Sequence, residues 1–290
     1  MVDFTHGVKM KKFYLILITC FTLFSFIHAQ DIIPRYSPNA SVSQTIGYTN
    51  ITITYCRPGV KLRKIWGDLV PFNKVWRTGA NESTRIQFTT DVKINGNNIP
   101  AGTYSIYTIP TEKDWTVIIN KALVWGLDYY PEQDLMRFKV TPQKGPFTER
   151  LMFTIPEITD STCSVVMNWE NLQISFDVSI DLAGQVYTRL KDEIAKAKSD
   201  DFQIYVIGAD FAAEHGVFLD EAFKWINKAL TISRNFNIYL AKANLLYKEG
   251  KYIDALKAVD MCRDAGRNDS DYSSHIAEID YLEQKIKNKL

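Results

Sequence analysis

The hydrophobic period of this chain changes near residue 181, and this change constrains the fold more than any other feature. From about Ser41 to Asp181, apolar and polar residues alternate, and β-branched and aromatic residues are frequent. This pattern is typical of half-buried strands. From Val186 onward, apolar residues recur with the spacing of an amphipathic helix. The sequence therefore predicts an all-β domain followed by an all-α domain.

The alternating segments of the first half are short and closely spaced, with no helical period between them. Asn95-Gly96 is a strong hairpin signal, and Glu170-Asn171 is interpreted as a second tight reversal. This organisation favours an antiparallel sandwich or barrel. The predicted strands cover residues 51–56, 85–94, 103–109, 115–119, 134–140, 150–155, 163–169 and 172–180.

The second half contains two similar stretches, "AAEHGVFLDEAFKWINKALTIS" and "NLLYKEGKYIDALKAVDMCRDA". Gly216 and Gly250 align as turns, and Ala222 and Ala255 align as small residues where paired helices touch. A spacing of about 33 residues is typical of helical-hairpin repeats of the tetratricopeptide type. Such repeats bind a protein partner along a concave face. The predicted helices cover residues 186–199, 201–214, 219–233, 236–249, 252–265 and 271–288.

The first 29 residues have the pattern of a secretory signal peptide. Met10-Lys11-Lys12 is followed by an apolar stretch that ends at Ile27, and Ala29 supplies the small residue before a cleavage site. A lipoprotein anchor at Cys20 fits less well, because Thr19 precedes it and the cysteine lies inside the apolar stretch. We expect a periplasmic or secreted protein with no membrane span. Its β domain would cover residues 30–182 and its helical domain residues 183–290.

Several functional classes are excluded by composition. Beyond the signal segment the only histidines are His215 and His275, so the β domain cannot hold a serine or cysteine triad that uses histidine. No phosphate-binding or dinucleotide-binding glycine motif occurs. With a net charge of +1, the chain has no general attraction for nucleic acid. We predict no metal and no cofactor. Of the remaining cysteines, Cys56 and Cys163 could form a disulfide or could be buried thiols.

The segment "RPGVKLRKIWGDLVPFNKVWRTGAN", residues 57–81, is the strongest candidate for a site. It joins two predicted strands without a clear period, and connections of this length are often functional. Its arginines suit a carboxylate, phosphate or sulfate, and its tryptophans suit a flat sugar face or a cation. The same residues could instead brace a long loop over the sandwich. The candidate residues are Arg57, Lys61, Arg63, Trp66, Trp76, Arg77, Asn81 and Glu82.

Two functional hypotheses follow. The first is a non-enzymatic exported protein that binds a small anionic or carbohydrate ligand, or braces an envelope assembly, and binds a protein through its helices. The alternative is a histidine-free hydrolase of glycans, which would need two carboxylates at a set separation in a cleft floored by tryptophan. Acidic residues near tryptophans in the sequence are Asp68, Glu82, Asp128 and Glu170.

The stretch "IWGDLVPFNKVWRTGAN" followed by "AGTYSIY" resembles the domain-of-unknown-function 2911 family, over residues 37–180. That family is common in exported proteins of Bacteroidetes-like bacteria, and its members often carry helical repeats after the β domain. Related sequences commonly have glycine near Lys61, where this chain has Leu62, so we expect a different local turn. The family has no established activity, so the resemblance implies a fold and an export route but no catalytic residue.

Overall fold

The computed structural model of the chain describes residues 34–290. These residues form two compact units that divide between Ile180 and Asp181. The first unit is all-β and the second is all-α, as predicted from the change of period. The predicted signal peptide and Cys20 lie outside the described residues.

The β unit consists of two antiparallel sheets. Its strands are β1 (Asn39–Ile46), β2 (Thr49–Cys56), β3 (Thr84–Phe88), β4 (Val92–Ile94), β5 (Asn97–Ile99), β6 (Gly102–Ile109), β7 (Trp115–Asn120), β8 (Asp134–Val140), β9 (Gln143–Ile158) and β10 (Thr162–Ser179). One sheet has the order β1-β2-β3-β6-β7-β8 and the other has the order β5-β4-β10-β9.

Aromatic contacts join the two sheets. The rings of Tyr55 in β2 and Phe153 in β9 are 4.9 Å apart, and those of Phe138 in β8 and Phe176 in β10 are 5.5 Å apart. Between these contacts the inward-facing residues of each strand are almost fully buried, as the period of two requires. The β unit is therefore a sandwich with a single apolar layer between its sheets.

The structure confirms one predicted reversal and corrects the other. Asn95 and Gly96 both have positive φ, 46° and 82°, and join β4 to β5 as a tight hairpin. Glu170-Asn171 is not a reversal, because β10 runs through both residues. Glu170, at φ 56°, lies between two shifts in the β9–β10 register, so the positive φ that suits a turn serves a bulge instead. A second correction concerns the predicted strand 85–94. It is divided into two strands, β3 and β4, which belong to different sheets.

Six helices follow, and two pairs of them form the predicted hairpins. Gly216 and Gly250 end the first helix of each pair with left-handed backbone, at φ 68° and 78°. Ala222 and Ala255 are fully buried in the partner helices, where a larger side chain would separate the pair. The helices are α1 (Leu182–Lys196), α2 (Gln203–His215), α3 (Leu219–Ile232), α4 (Phe236–Lys248), α5 (Tyr252–Gly266) and α6 (Tyr272–Lys287).

Helix α1 begins four residues before its predicted start at Val186. The reason is local, because the Asp181 side chain accepts a hydrogen bond from the Gly184 N–H at 2.9 Å and so caps the helix. Within residues 34–290, no helix is both long enough and apolar enough to cross a membrane.

Candidate functional site

The segment between β2 and β3 is held at both ends by backbone hydrogen bonds. Near its start, the Val60 N–H donates to Glu149 O at 2.8 Å, and the Leu151 N–H donates to Pro58 O at 3.1 Å. Near its end, Trp76 and Thr108 exchange two N–H···O bonds of 2.8 Å each. The segment therefore extends both sheets instead of forming a free loop, and its side chains have fixed positions.

Four tryptophans meet beneath this segment. Trp66 and Trp76 come from the segment itself, whereas Trp115 comes from β7 and Trp169 from β10. The rings of Trp66 and Trp115 are 4.8 Å apart in an edge-to-face contact, and those of Trp76 and Trp169 are stacked at 5.7 Å and 21°. Such pairs stabilise beyond the area that they bury. The cluster attaches the segment to both sheets and forms the floor of the space above it.

A cavity of about 340 Å³ lies against this floor. Its size is at the lower end of the range for small-ligand sites. Three cationic side chains and two tryptophans contribute to its wall, and no Asp or Glu is among the described residues that line it. The lining residues that matter most for its chemistry are Arg63, Lys74, Val75, Trp76, Arg77 and Trp169.

Arg77 is the most unusual group in the cavity wall. Its Nε is buried and has no hydrogen-bond partner among the described residues, and its Nη1 reaches only Gly126 O, at 3.4 Å. No carboxylate pairs with it in the part of the chain that the structure describes. Burial lowers the pKa of the Arg77 guanidinium. Since a half-buried charge without a partner is costly, this side chain is suited to binding an anion.

The three other cationic candidate residues contact groups within the protein. Arg57 Nε donates to Leu151 O at 2.9 Å, and Arg57 does not line the cavity. Arg63 lines the cavity, but its guanidinium donates to Gly59 O at 2.6 Å and to Val60 O at 3.1 Å. The Lys61 ammonium lies 5.2 Å from the centre of the Tyr36 ring, as in a cation–π contact. These groups brace the loop, and Arg63 also borders the cavity.

Asn81 and Glu82 lie outside the cavity. Asn81 Nδ2 donates to Ser37 O at 3.3 Å. Glu82 forms an ion pair with Arg35 at 2.8 Å. Burial alone would raise the pKa of Glu82, but hydrogen bonds from Arg35, the backbone and Cys56 lower it to about 2. Glu82 and Cys56 line a separate cavity of about 210 Å³.

The three cysteines beyond the signal segment are buried and free, so Cys56 and Cys163 do not form a disulfide. Burial raises the pKa of each thiol, to about 11 for Cys163 and Cys262. Because the thiolate is the reactive form, these cysteines are unsuited to nucleophilic catalysis. Among residues 34–290 there is also no group of three or more His, Cys, Asp or Glu residues arranged to hold a metal ion.

Of the eight candidate residues, the structure brings Arg63, Trp76 and Arg77 together at the cavity. Trp66 lies in the tryptophan cluster below it, and the remaining four stabilise the loop. Trp169 and Leu127 also line the cavity and were not predicted. No local signal marks them, because both are far along the chain from the segment. Trp169 reaches the cavity from β10, and Leu127 reaches it from the loop after β7.

The helical unit has a groove of its own, of about 500 Å³. It is lined by the first helix of each hairpin, α2 and α4, and by α6. Asp210 lies in this open groove, where its side chain reaches water although protein atoms surround it. That crowding, together with the charges of Glu278 and Glu214, raises the pKa of Asp210 to about 7. The groove also contains Lys248 and Lys285, so its charge is mixed.

Fold and site together define a class of protein in which a β-sandwich with a basic, tryptophan-floored cavity precedes helical hairpins. The family model described as "Protein of unknown function (DUF2911)" matches residues 37–178, which cover the β domain of this chain. The searches found no matching curated protein and no matching solved structure.

Proposed function

We propose that this chain is an exported, non-enzymatic binding protein whose β domain holds a small anion at Arg77. The observation that carries the proposal is the half-buried guanidinium of Arg77, which has no acidic partner among the described residues. It lies in the wall of a cavity of ligand size. A carboxylate, phosphate or sulfate placed there would receive charge-assisted hydrogen bonds from the guanidinium.

The hydrolase alternative has less support. It requires two carboxylates in a cleft floored by Trp66 or Trp76. No Asp or Glu belongs to the described lining of the cavity beside Trp76. Glu82, the acidic candidate nearest to Trp76 in sequence, is bonded to Arg35 and lines a different cavity. The alternative that these residues only brace the loop is also less favoured, because it does not account for the cavity beside Arg77.

Peptide binding by the helical unit and export are two further parts of the proposal, and each has its own support. The helical unit would bind a peptide of mixed charge along its groove, since alternate helices line that groove with both acids and lysines. Export would follow from the signal pattern of residues 1–29.

Thermal unfolding in the presence of small anions tests the ligand site. The probes are benzoate, phosphate, sulfate and glucuronate, with benzamide and glucose as neutral counterparts. At a concentration of 100 times Kd, a bound anion stabilises the native state by about 2.7 kcal/mol. That corresponds to a rise of about 5 °C or more in the unfolding midpoint of the β unit. We expect at least one anion to produce this rise, and its neutral counterpart to produce none.

The matched variants are Arg77→Gln and Arg137→Gln. Both remove one guanidinium from the β unit, but Arg137 is paired with Asp134 and does not line the cavity. Each midpoint is measured against the same variant without ligand, so a change in basal stability cancels. We expect Arg77→Gln to lose the shift and Arg137→Gln to keep it. A full shift in Arg77→Gln would contradict the proposal.

A further inference from the structure

The lining of the cavity is mostly apolar apart from its cations. Around Arg77 it consists of the tryptophan rings and of aliphatic side chains from the segment and from the loop that follows β7. The aliphatic members are Pro58, Leu69, Val70, Pro71, Val75 and Leu127. A ligand that fills this space must therefore place an apolar body against them.

Large apolar side chains are also exposed at the mouth of the cavity. Leu127 is 87 % exposed, Leu69 is 43 % exposed and Val75 is 39 % exposed, and all three line the cavity. Trp125, two residues before Leu127, is 68 % exposed. Single exposed apolar residues are common, but a group of them around a concavity indicates a binding surface.

Hydrogen-bonding groups in the cavity are almost all donors. Of the described lining side chains, only Ser37 can accept a hydrogen bond, whereas Arg63, Lys74 and Arg77 can only donate. Two carbonyls beside Arg77 already accept a hydrogen bond each, Gly79 O from Trp76 Nε1 and Gly126 O from Arg77. A sugar has several hydroxyl donors, and each that is buried without an acceptor costs free energy.

We propose that the ligand is an apolar carboxylate, with an aromatic or branched aliphatic body, and not a sugar or an inorganic anion. Its carboxylate would bind the Arg77 guanidinium, and its body would lie between the tryptophan floor and the exposed side chains of Leu127 and Val75. This inference rests on the proposed function, because it names the chemistry of the anion that the same cavity holds.

Calorimetric titration of the chain from Gln30 to Leu290 compares three probes. They are 2-naphthoate, its neutral amide 2-naphthamide, and glucuronate. We expect 2-naphthoate to bind, and the other two to bind at least about tenfold more weakly, since one lacks the charge and the other lacks the apolar body. If glucuronate binds as tightly as 2-naphthoate, and Arg77→Gln abolishes the binding of both anions, this inference is overturned and the proposed function stands. Equal binding of naphthoate and naphthamide would overturn both.

A pair of exposed leucines provides the second test. Leu127→Ser removes apolar surface from the mouth of the cavity, whereas Leu123→Ser removes an exposed leucine of the same loop that does not line it. Because both side chains are exposed, neither variant is expected to unfold the protein. We expect Leu127→Ser to weaken 2-naphthoate binding about fivefold, because part of an apolar contact is lost. Leu123→Ser should leave the affinity unchanged. Unchanged affinity in Leu127→Ser would refute the apolar contact.

Discussion

The arginines of the segment before β3 differ in what their guanidinium groups contact. Arg57 and Arg63 donate to backbone carbonyls at normal hydrogen-bond distances, and both hold the segment to itself or to β9. Arg77 has one long bond and a buried Nε without a partner. In the sequence these residues are equivalent, so the sequence does not reveal which guanidinium lacks a partner among the described residues. The difference comes from burial, which the fold determines.

Leu62 provides a prediction at the same scale. It is fully exposed and has φ 58°, a conformation that costs an L-residue roughly 1–2 kcal/mol and glycine almost nothing. Replacing Leu62 by Gly should therefore stabilise the β unit, although the greater freedom of glycine in the unfolded chain offsets part of the gain. We expect a net gain of about 0.5 kcal/mol, or a rise of about 1–2 °C in the unfolding midpoint.

Leu123→Gly is the control for this prediction, because Leu123 is also an exposed leucine but is not among the residues with positive φ. It should not stabilise the protein. A lower midpoint for Leu62→Gly would show that the left-handed turn is not under strain.

The secondary-structure elements show which predictions depend on local signals. Strands with a clear period of two and the Asn95-Gly96 hairpin were predicted, because alternation and turn chemistry act over a few residues. The continuity of β10 through Glu170 was not, since a bulge and a turn use the same positive φ. The position of Trp169 beside Trp76 depends on pairing between distant strands, which a single sequence does not reveal.

The carboxylates that α2 and α6 place in one groove lead to a prediction on pH dependence. Asp210 in α2 lies near the carboxylates of Glu278 and Glu214, and its pKa in the folded protein, about 7, exceeds the ordinary 3.8. At about pH 3, below both pKa values, the carboxyl group is mostly protonated in both states and has little effect on stability. As the pH rises from about 3 to 7, the unfolded state ionises first and the folded state loses stability. Replacing Asp210 by Asn should remove this loss.

We therefore expect Asp210→Asn to raise the unfolding midpoint of the helical unit at pH 8 and to leave it almost unchanged at pH 3. Since the side chain reaches water, solvent screening reduces the gain to about 1 kcal/mol, or roughly 4 °C. The control is Asp260→Asn, an exposed aspartate of α5 outside the groove, which should show no such difference between the two pH values. An equal effect of Asp210→Asn at both pH values would argue against a raised pKa.

At the scale of the whole molecule, the two periods of the sequence correspond to two units with separate interiors. The sandwich is closed by contacts such as Tyr55 with Phe153, and the helical unit has its own buried clusters around Trp225 and Val259. The order of the units and the family of the first could be predicted because both depend on patterns that extend over many residues. The chemistry of the cavity could not, because it depends on which few side chains line it.

Export is a prediction that concerns residues 1–29. Lys11 and Lys12, the apolar stretch that follows them and Ala29 together indicate cleavage before Gln30. When the gene is expressed in a bacterium, intact-mass spectrometry of the exported protein should show a chain that begins at Gln30. Ala29→Phe should block this processing, because a bulky side chain does not fit where a small residue is required. Cys20→Ala is the control and should leave processing unchanged. Loss of processing in Cys20→Ala, with a lipid-modified mass for the unaltered chain, would show a lipoprotein anchor instead.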